Sequence, residues 1–125
     1  MNTEGLQEWL TAYGRAWETR DPEAAVVLFT EDIVYYEKPY TEPARGRAGV
    51  RQYWDDAVSD HGAVSFSFEI LAISDEQSFV RWLTKLNRLS SGKRVMIDGI
   101  FVLKFAENGL CRELREWWFY EEYDA

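Results

Sequence analysis

One cysteine, one histidine and three prolines leave little room for several kinds of chemistry in these 125 residues. Cys111 has no second cysteine to pair with, so an internal disulfide is excluded. His61 alone cannot build a His–Cys metal cluster, and no metal site is expected. Ser–His–Asp hydrolysis would also need His61, which sits in the loop-like SDHGAV and reads as an exposed loop residue. The chain has no GxGxxG and no Walker sequence, so nothing supports a nucleotide and no cofactor is expected. Basic residues are scarce as well: 14 Lys and Arg stand against 22 Asp and Glu, a formal charge of −8. That field repels nucleic acid and anionic membrane surfaces, so neither is an expected partner. No apolar run approaches the ~18 residues of a membrane span, and no charged start leads into an apolar stretch like a signal peptide. A soluble cytoplasmic protein is the expectation.

Aromatic residues, in contrast, are plentiful. Six Trp, seven Tyr and seven Phe make up 16% of the chain, more than a plain core of this size needs. Such an excess suits a core plus a lined cavity, or a buried subunit interface, although a core that is simply rich in aromatics stays open. The length suits one domain, residues 1–125, with a core that needs no staples.

The two halves of the chain carry different periodicities. Leu6, Trp9, Leu10, Tyr13 and Trp17 recur on one face of a helix from about Thr3 to Thr19. Asp21-Pro22 then reads as a helix cap followed by a proline in the first turn, opening a short helix PEAAVVLF that buries Ala25, Leu28 and Phe29. IVYYEKP is a strand candidate, and after Gly46 a third helix carries Val50, Tyr53, Trp54 and Ala57 on one side. The second half holds four long segments rich in β-branched and aromatic residues: AVSFSFEILAIS, SFVRWLTKLNRL, KRVMIDGIFVLKF and LCRELREWWFYEE. The links between them, around DEQ, SSG and ENG, are too short for anything but antiparallel neighbours. The expected fold is α+β: three N-terminal helices packed on a strongly curved, mainly antiparallel sheet, forming a cone with an internal cavity. Trp9, Leu10, Leu28, Phe29 and Leu103 are expected in its core.

In the stretch YYEKPYTEP, one carboxylate follows two tyrosines just where the strand gives way to a proline-stiffened loop. Two readings fit. Glu37 is a base at the mouth of a pocket, or a rim carboxylate paired with Lys38 or Arg45.

The order helix, helix, strand, proline loop, helix and four long strands resembles the nuclear transport factor 2-like superfamily, in its SnoaL-like and ketosteroid isomerase-like branch. The blocks AYGRAWETRDPEAAVVLFTEDIVYYEKPYTEPARGRAGVRQYW and IFVLKFAENGLCRELREWW carry the likeness, which runs from about Leu6 to Glu121. One fold of this kind hosts many functions. The resemblance implies that Tyr13 stands where the isomerase has its oxyanion-hole tyrosine and that Glu37 stands at its carboxylate base. Phe101 replaces the isomerase's protonated aspartate, which puts steroid isomerisation in doubt. The same likeness turns Leu114, Glu116 and Trp118 toward the concave side, along with Phe101 and Leu103. It also turns in Arg81, Leu83 and Lys85, leaving Val80, Trp82, Thr84 and Leu86 outside. The bare alternation prefers the reverse for that strand, because its even positions are the more apolar. An outer face used for a homodimer, as in many relatives, would reconcile the two. Epoxide hydrolases of similar shape use an Asp–Arg–Asp set, and Arg81 with Asp98 lacks the second aspartate.

The expected function is therefore binding of a compact, largely apolar small molecule in the cone. Glu37 would move a proton next to a carbonyl and Tyr13 would donate to the developing oxyanion. Trp17, Trp54, Arg81, Phe101, Leu103, Glu116 and Trp118 would contact the ligand. Glu116 has its own alternative, an ion pair with Arg115 or Arg81. If Glu37 and Glu116 do approach each other inside the cavity, desolvation and repulsion would raise at least one of their pKa values. A non-catalytic binding module and a dimerisation domain remain the competing readings.

Overall fold

Each of the three helices is cut to length by its local sequence. In a computed structural model describing residues 1–124, α1 spans Thr3–Glu18 and is capped by the Asn2 side chain, which accepts from Gly5 N at 2.8 Å. Its buried stripe is Leu6, Trp9, Leu10, Tyr13, Gly14 and Ala16. The cap expected at Asp21 is formed, with its carboxylate accepting from Ala24 N at 3.2 Å ahead of α2, Pro22–Val26. That helix is shorter than PEAAVVLF. The Leu28 carbonyl is claimed by the Trp9 indole N–H at 2.9 Å and by Cys111 N at 3.0 Å. The backbone has therefore left the helix, and Phe29 opens strand β1, Phe29–Tyr36. Leu28 is accordingly only half-buried, whereas Trp9, Leu10, Phe29 and Leu103 lie in the core as expected.

After a two-residue strand β2, Ala44–Arg45, α3 runs Gly46–Val58 and buries Val50, Trp54 and Val58. The four long strands follow: β3 His61–Ile73, β4 Ser78–Arg88, β5 Arg94–Phe105 and β6 Cys111–Tyr123. They form the antiparallel meander that the short links demand. The sheet is nevertheless mixed, in the order β2-β1-β6-β5-β4-β3, because β1 pairs parallel with β6. Nothing in the meander pattern announces that pairing. It matters for the site, since it sets the end of β1 beside the middle of β6.

The sheet has one face toward the helices and one toward water. Val80, Trp82, Thr84 and Leu86 on β4 are buried, while Arg81 and Lys85 are exposed. This corrects the facing implied by the family likeness: the alternation of apolar even positions decides the strand's orientation, because turning it over would expose four buried side chains. Arg81 lies on the outer face, where its guanidinium donates to Asp98 Oδ2 at 2.7 Å and Oδ1 at 3.1 Å. It belongs to no ligand site on the inner face. Residues paired across the inner face form continuous rows: Val80, Phe101 and Glu116 in one, and Trp82, Gly99 and Trp118 in the next. Among the described residues, no helix is long and apolar enough to cross a membrane.

Candidate functional site

The inner rows of the sheet meet α1 and α3 at a nest of aromatic rings. Tyr13 stacks on Trp9 with centroids 5.3 Å apart and takes Trp54 and Phe101 edge-on at 5.3 and 5.4 Å. Trp82 stacks on Phe101 at 5.1 Å, lying flat over Gly99. A pocket of about 180 Å³ opens among these groups. Its inner end is taken by the fully buried Tyr13 and Tyr35 and its outer end by the exposed Tyr120; Trp17, Tyr53, Trp54, His61, Trp82, Arg88, Ile97 and Trp118 also line it.

Four of the residues expected to touch a ligand thus line the pocket: Tyr13, Trp17, Trp54 and Trp118. Phe101 and Leu103 face the same side of the sheet but are fully buried behind the lining. Tyr35, Tyr53, Trp82 and His61 line it too, without having been expected there. For Trp82 the signal was present in the even-position alternation of β4. His61 corrects an expectation outright. It is 7% exposed, opens β3, and its Nδ1 accepts from the Trp17 indole N–H at 3.1 Å. The pairing of β3 with β4 slips by one residue between Gly62 and Ser65, where Ala63 adopts φ of 48°. That bulge moves His61 off the face its strand number would give it and turns it inward.

The polar groups of the inner end lie close together. The hydroxyls of Tyr13 and Tyr35 are hydrogen-bonded at 2.8 Å, both buried. Burial holds both phenols well above their ordinary range; the Glu116 charge adds to this for Tyr13, and Tyr13 itself adds to it for Tyr35. Both hydroxyls therefore stay protonated at neutral pH, available as donors. Glu116, paired with Phe101 on the same face of the sheet, does not line the pocket; it is 6% exposed, and its Oε2 is buried without a hydrogen-bond partner among the described residues. Burial, with the negative charge of Glu37 second, pushes its carboxyl well above the usual range. The proposed ion pairs are not made: Arg115 bonds Glu113 at 3.3 Å and lies over the Tyr36 ring, while Arg81 holds Asp98.

Glu37 follows directly from the parallel register. Tyr35 pairs with Leu114 and Tyr36 with Arg115, and one residue past the end of β1 Glu37 is near enough for its charge to raise the Glu116 carboxyl. Its side chain is 19% exposed and stands 3.9 Å from Lys38 Nζ, the rim contact that was its competing reading. Its backbone oxygen accepts from the Trp118 indole N–H at 2.7 Å, which ties the loop to a pocket wall. Glu37 is not itself a lining residue. Among the described residues no group of three His, Cys, Asp or Glu converges to hold a metal ion.

A mixed six-stranded sheet with helices on one face and an aromatic pocket between them defines a class of small α+β domains. A family model described as a SnoaL-like domain matches residues 10–114, and the chain belongs to that family. Solved structures share the fold at low identity. The epoxide hydrolase/cyclase-like enzyme SalBIII, described in pyran ring formation in the polyether salinomycin, gives a TM-score of 0.82 at 21% identity, covering 98% of this chain and 100% of that one. The Delta 5-3-ketosteroid isomerase from Mycobacterium sp. gives 0.79 at 18%, covering 95% and 98%. A computationally designed 17-OHP binder gives 0.80 at 18%, covering 95% and 97%. Family and neighbours together set the chain in the SnoaL-like and ketosteroid isomerase-like branch of the nuclear transport factor 2-like fold. Among curated proteins no sequence matches.

Proposed function

We propose that this chain binds a compact, largely apolar small molecule inside the cone formed by its sheet and helices. The observation that carries the reading is the pocket itself: about 180 Å³ walled by four tryptophans and four tyrosines around few polar groups. An apolar cavity of about 150 Å³ holds one benzene ring, so one or two rings fit here and a four-ring skeleton does not without rearrangement. The pocket holds Trp17, Trp54, Trp82 and Trp118, so occupancy is read directly as a change in tryptophan fluorescence. Titration with 2-tetralone, a two-ring ketone, is expected to saturate, and Trp54→Ala to weaken it. A linear, unsaturable response in both proteins would overturn the reading.

Proton transfer is the second reading, favoured by the proximity of Glu37 and Glu116. Two carboxyls close enough to feel each other's charge, one pushed toward its neutral form by burial, form a pair in which one member accepts a proton while the other donates a hydrogen bond. Neither carboxyl lines the pocket, so this reading requires a ligand carbonyl to reach past the lining; Glu37 then acts as the base, and the Tyr13–Tyr35 pair, with one hydroxyl proton to spare, meets the developing oxyanion. The α-protons of 2-tetralone exchanging into D2O report this step without knowledge of the natural substrate. Glu37→Gln should slow protein-dependent exchange by about 100-fold while leaving the fold intact. Exchange no faster than in buffer leaves a binding module. The homodimer is proposed as well, but on outer-face residues other than the Val80, Trp82 and Leu86 first considered, since those are buried within the chain.

A further inference from the structure

We infer that His61 is the hydrogen-bond donor that selects the pocket's ligand, so that the site takes a ring compound carrying an acceptor oxygen, such as a ketone or ether, over its pure hydrocarbon counterpart. This rests on the pocket being a ligand site. The Trp17 indole N–H can only donate, and it donates to His61 Nδ1 at 3.1 Å. An imidazole that accepts at Nδ1 carries its proton on Nε2 when neutral. His61 is neutral at physiological pH, because burial first and then the positive charge of Arg88 bring it from 6.5 down to about 4, with Asp60 opposing and Arg20 assisting. The Nε2–H has no protein partner among the described residues, although its ring is buried and lines the pocket.

Several of its neighbours on the pocket wall are already engaged. Arg88 donates to the Tyr120 hydroxyl at 2.9 and 3.2 Å and to Asp60 Oδ2 at 3.3 Å. Asp60 in turn accepts from Ser90 N and Oγ, both at 2.7 Å. The Trp82 Nε1 is unpartnered but sits 2.9 Å from where a Cβ on Gly99 would stand, turned onto the sheet and away from the pocket space. The Tyr13 and Tyr35 hydroxyls are bonded to each other at the inner end. His61 thus presents a free donor on the pocket wall, set there by the bulge at Ala63 and held in one tautomer by Trp17.

Acetophenone and ethylbenzene make a matched pair of probes, alike in shape and differing in one acceptor oxygen. The wild-type protein, followed by tryptophan fluorescence, is expected to bind acetophenone at least tenfold more tightly. His61→Phe keeps a flat ring of similar size and should lose the preference, read as the ratio of the two affinities rather than as either one alone. His61→Gln, with a carbonyl for Trp17 and an amide N–H for the ligand, should restore part of it. Nitrogen-15 NMR of the free protein supplies a readout that needs no ligand: Nε2 should carry the proton and Nδ1 should not. A proton on Nδ1, or an undiminished preference in His61→Phe, overturns the role of His61 and leaves the pocket standing. Failure of both probes to bind overturns the pocket reading and this one with it.

Discussion

The hydroxyl oxygens of Tyr13, on the first helix, and Tyr35, on the first strand, lie 2.8 Å apart with both side chains buried. Each is the other's hydrogen-bond partner among the described residues, so removing one hydroxyl strands the other away from water. A buried hydroxyl left unpaired is destabilising by about 1–3 kcal/mol, whereas replacing both by apolar rings of the same shape is closer to neutral. Tyr13→Phe and Tyr35→Phe should each lower stability in urea unfolding, and the double variant should lose less than their sum, with a coupling of about 1 kcal/mol. Strictly additive losses would show that the two hydroxyls do not depend on each other.

Glu116 and His61 carry opposite pH dependences. The fold raises the Glu116 carboxyl well above 4.5, so the folded chain holds a proton that the unfolded chain has released. Its contribution is full below 4.5 and is lost as pH rises through the folded pKa. His61 is lowered from 6.5 to about 4, so its contribution is full above 6.5 and is lost as pH falls toward 4. Glu116→Gln replaces the buried acid by a neutral group of the same shape and should free the protein of the first trend only. Its Tm is expected to match wild type at about pH 4 and to exceed it increasingly toward about pH 8. A Tm difference that stays flat across that range would show that Glu116 ionises without penalty.

The long strands were legible because alternation and turn residues agreed, as in SFVRWLTKLNRL, which forms β4 over Ser78–Arg88. The same alternation gave the right facing for Trp82 where the family likeness gave the wrong one for Arg81. Local periodicity is a direct record of which side is dry, and an alignment at remote similarity is not. Helix spacing put Tyr13, Trp17 and Trp54 on the buried faces of their helices, and the family likeness turned Trp118 inward and gave Tyr13 its place at the ligand. His61 could not be placed at the pocket, because one extra residue at Ala63 reverses the strand's facing and no residue type there declares a bulge. Nor could the neighbourhood of Glu37 and Glu116 be read from the residues alone, since it depends on the parallel pairing of strands that are distant in sequence.

The outer face of the sheet leads to a prediction about assembly. Phe119 is 86% exposed and Trp117 48%, and cross-strand pairing puts them in rows with Leu83, Asp98 and Ile100, beside the Arg81–Asp98 ion pair. Clustered apolar side chains of this kind mark interfaces. A symmetric pair of sheets would cover them with the same surface from a second copy. Sedimentation at micromolar concentration should report a dimer, and Phe119→Lys should shift it to monomer without changing the circular dichroism. A wild-type monomer under those conditions would sink the homodimer and leave the outer face as solvent-exposed sheet.

Gly99 is where the packing of the pocket wall can be tested without touching a polar group. It pairs with Trp82 on one side and Trp118 on the other, the two indoles that form opposite walls. A Cβ added there would meet ring atoms of Trp82 at 2.6, 2.7 and 2.9 Å, inside any permitted contact. Those atoms belong to a rigid indole that is itself stacked on Phe101 at 5.1 Å, so it cannot yield as the tip of a flexible chain would. Gly99→Ala must therefore lift the Trp82 ring off the sheet and into the space that a ligand needs. Overpacking of this kind is destabilising by about 1–3 kcal/mol, readable as a lower urea midpoint with an unchanged slope. The same displacement should weaken 2-tetralone binding more than Leu28→Ala does, since Leu28 is half-buried and lies outside the pocket. If Gly99→Ala folds with wild-type stability and binds the probe as tightly, the indole does not rest on the strand, and the pocket wall has a different shape from the one described.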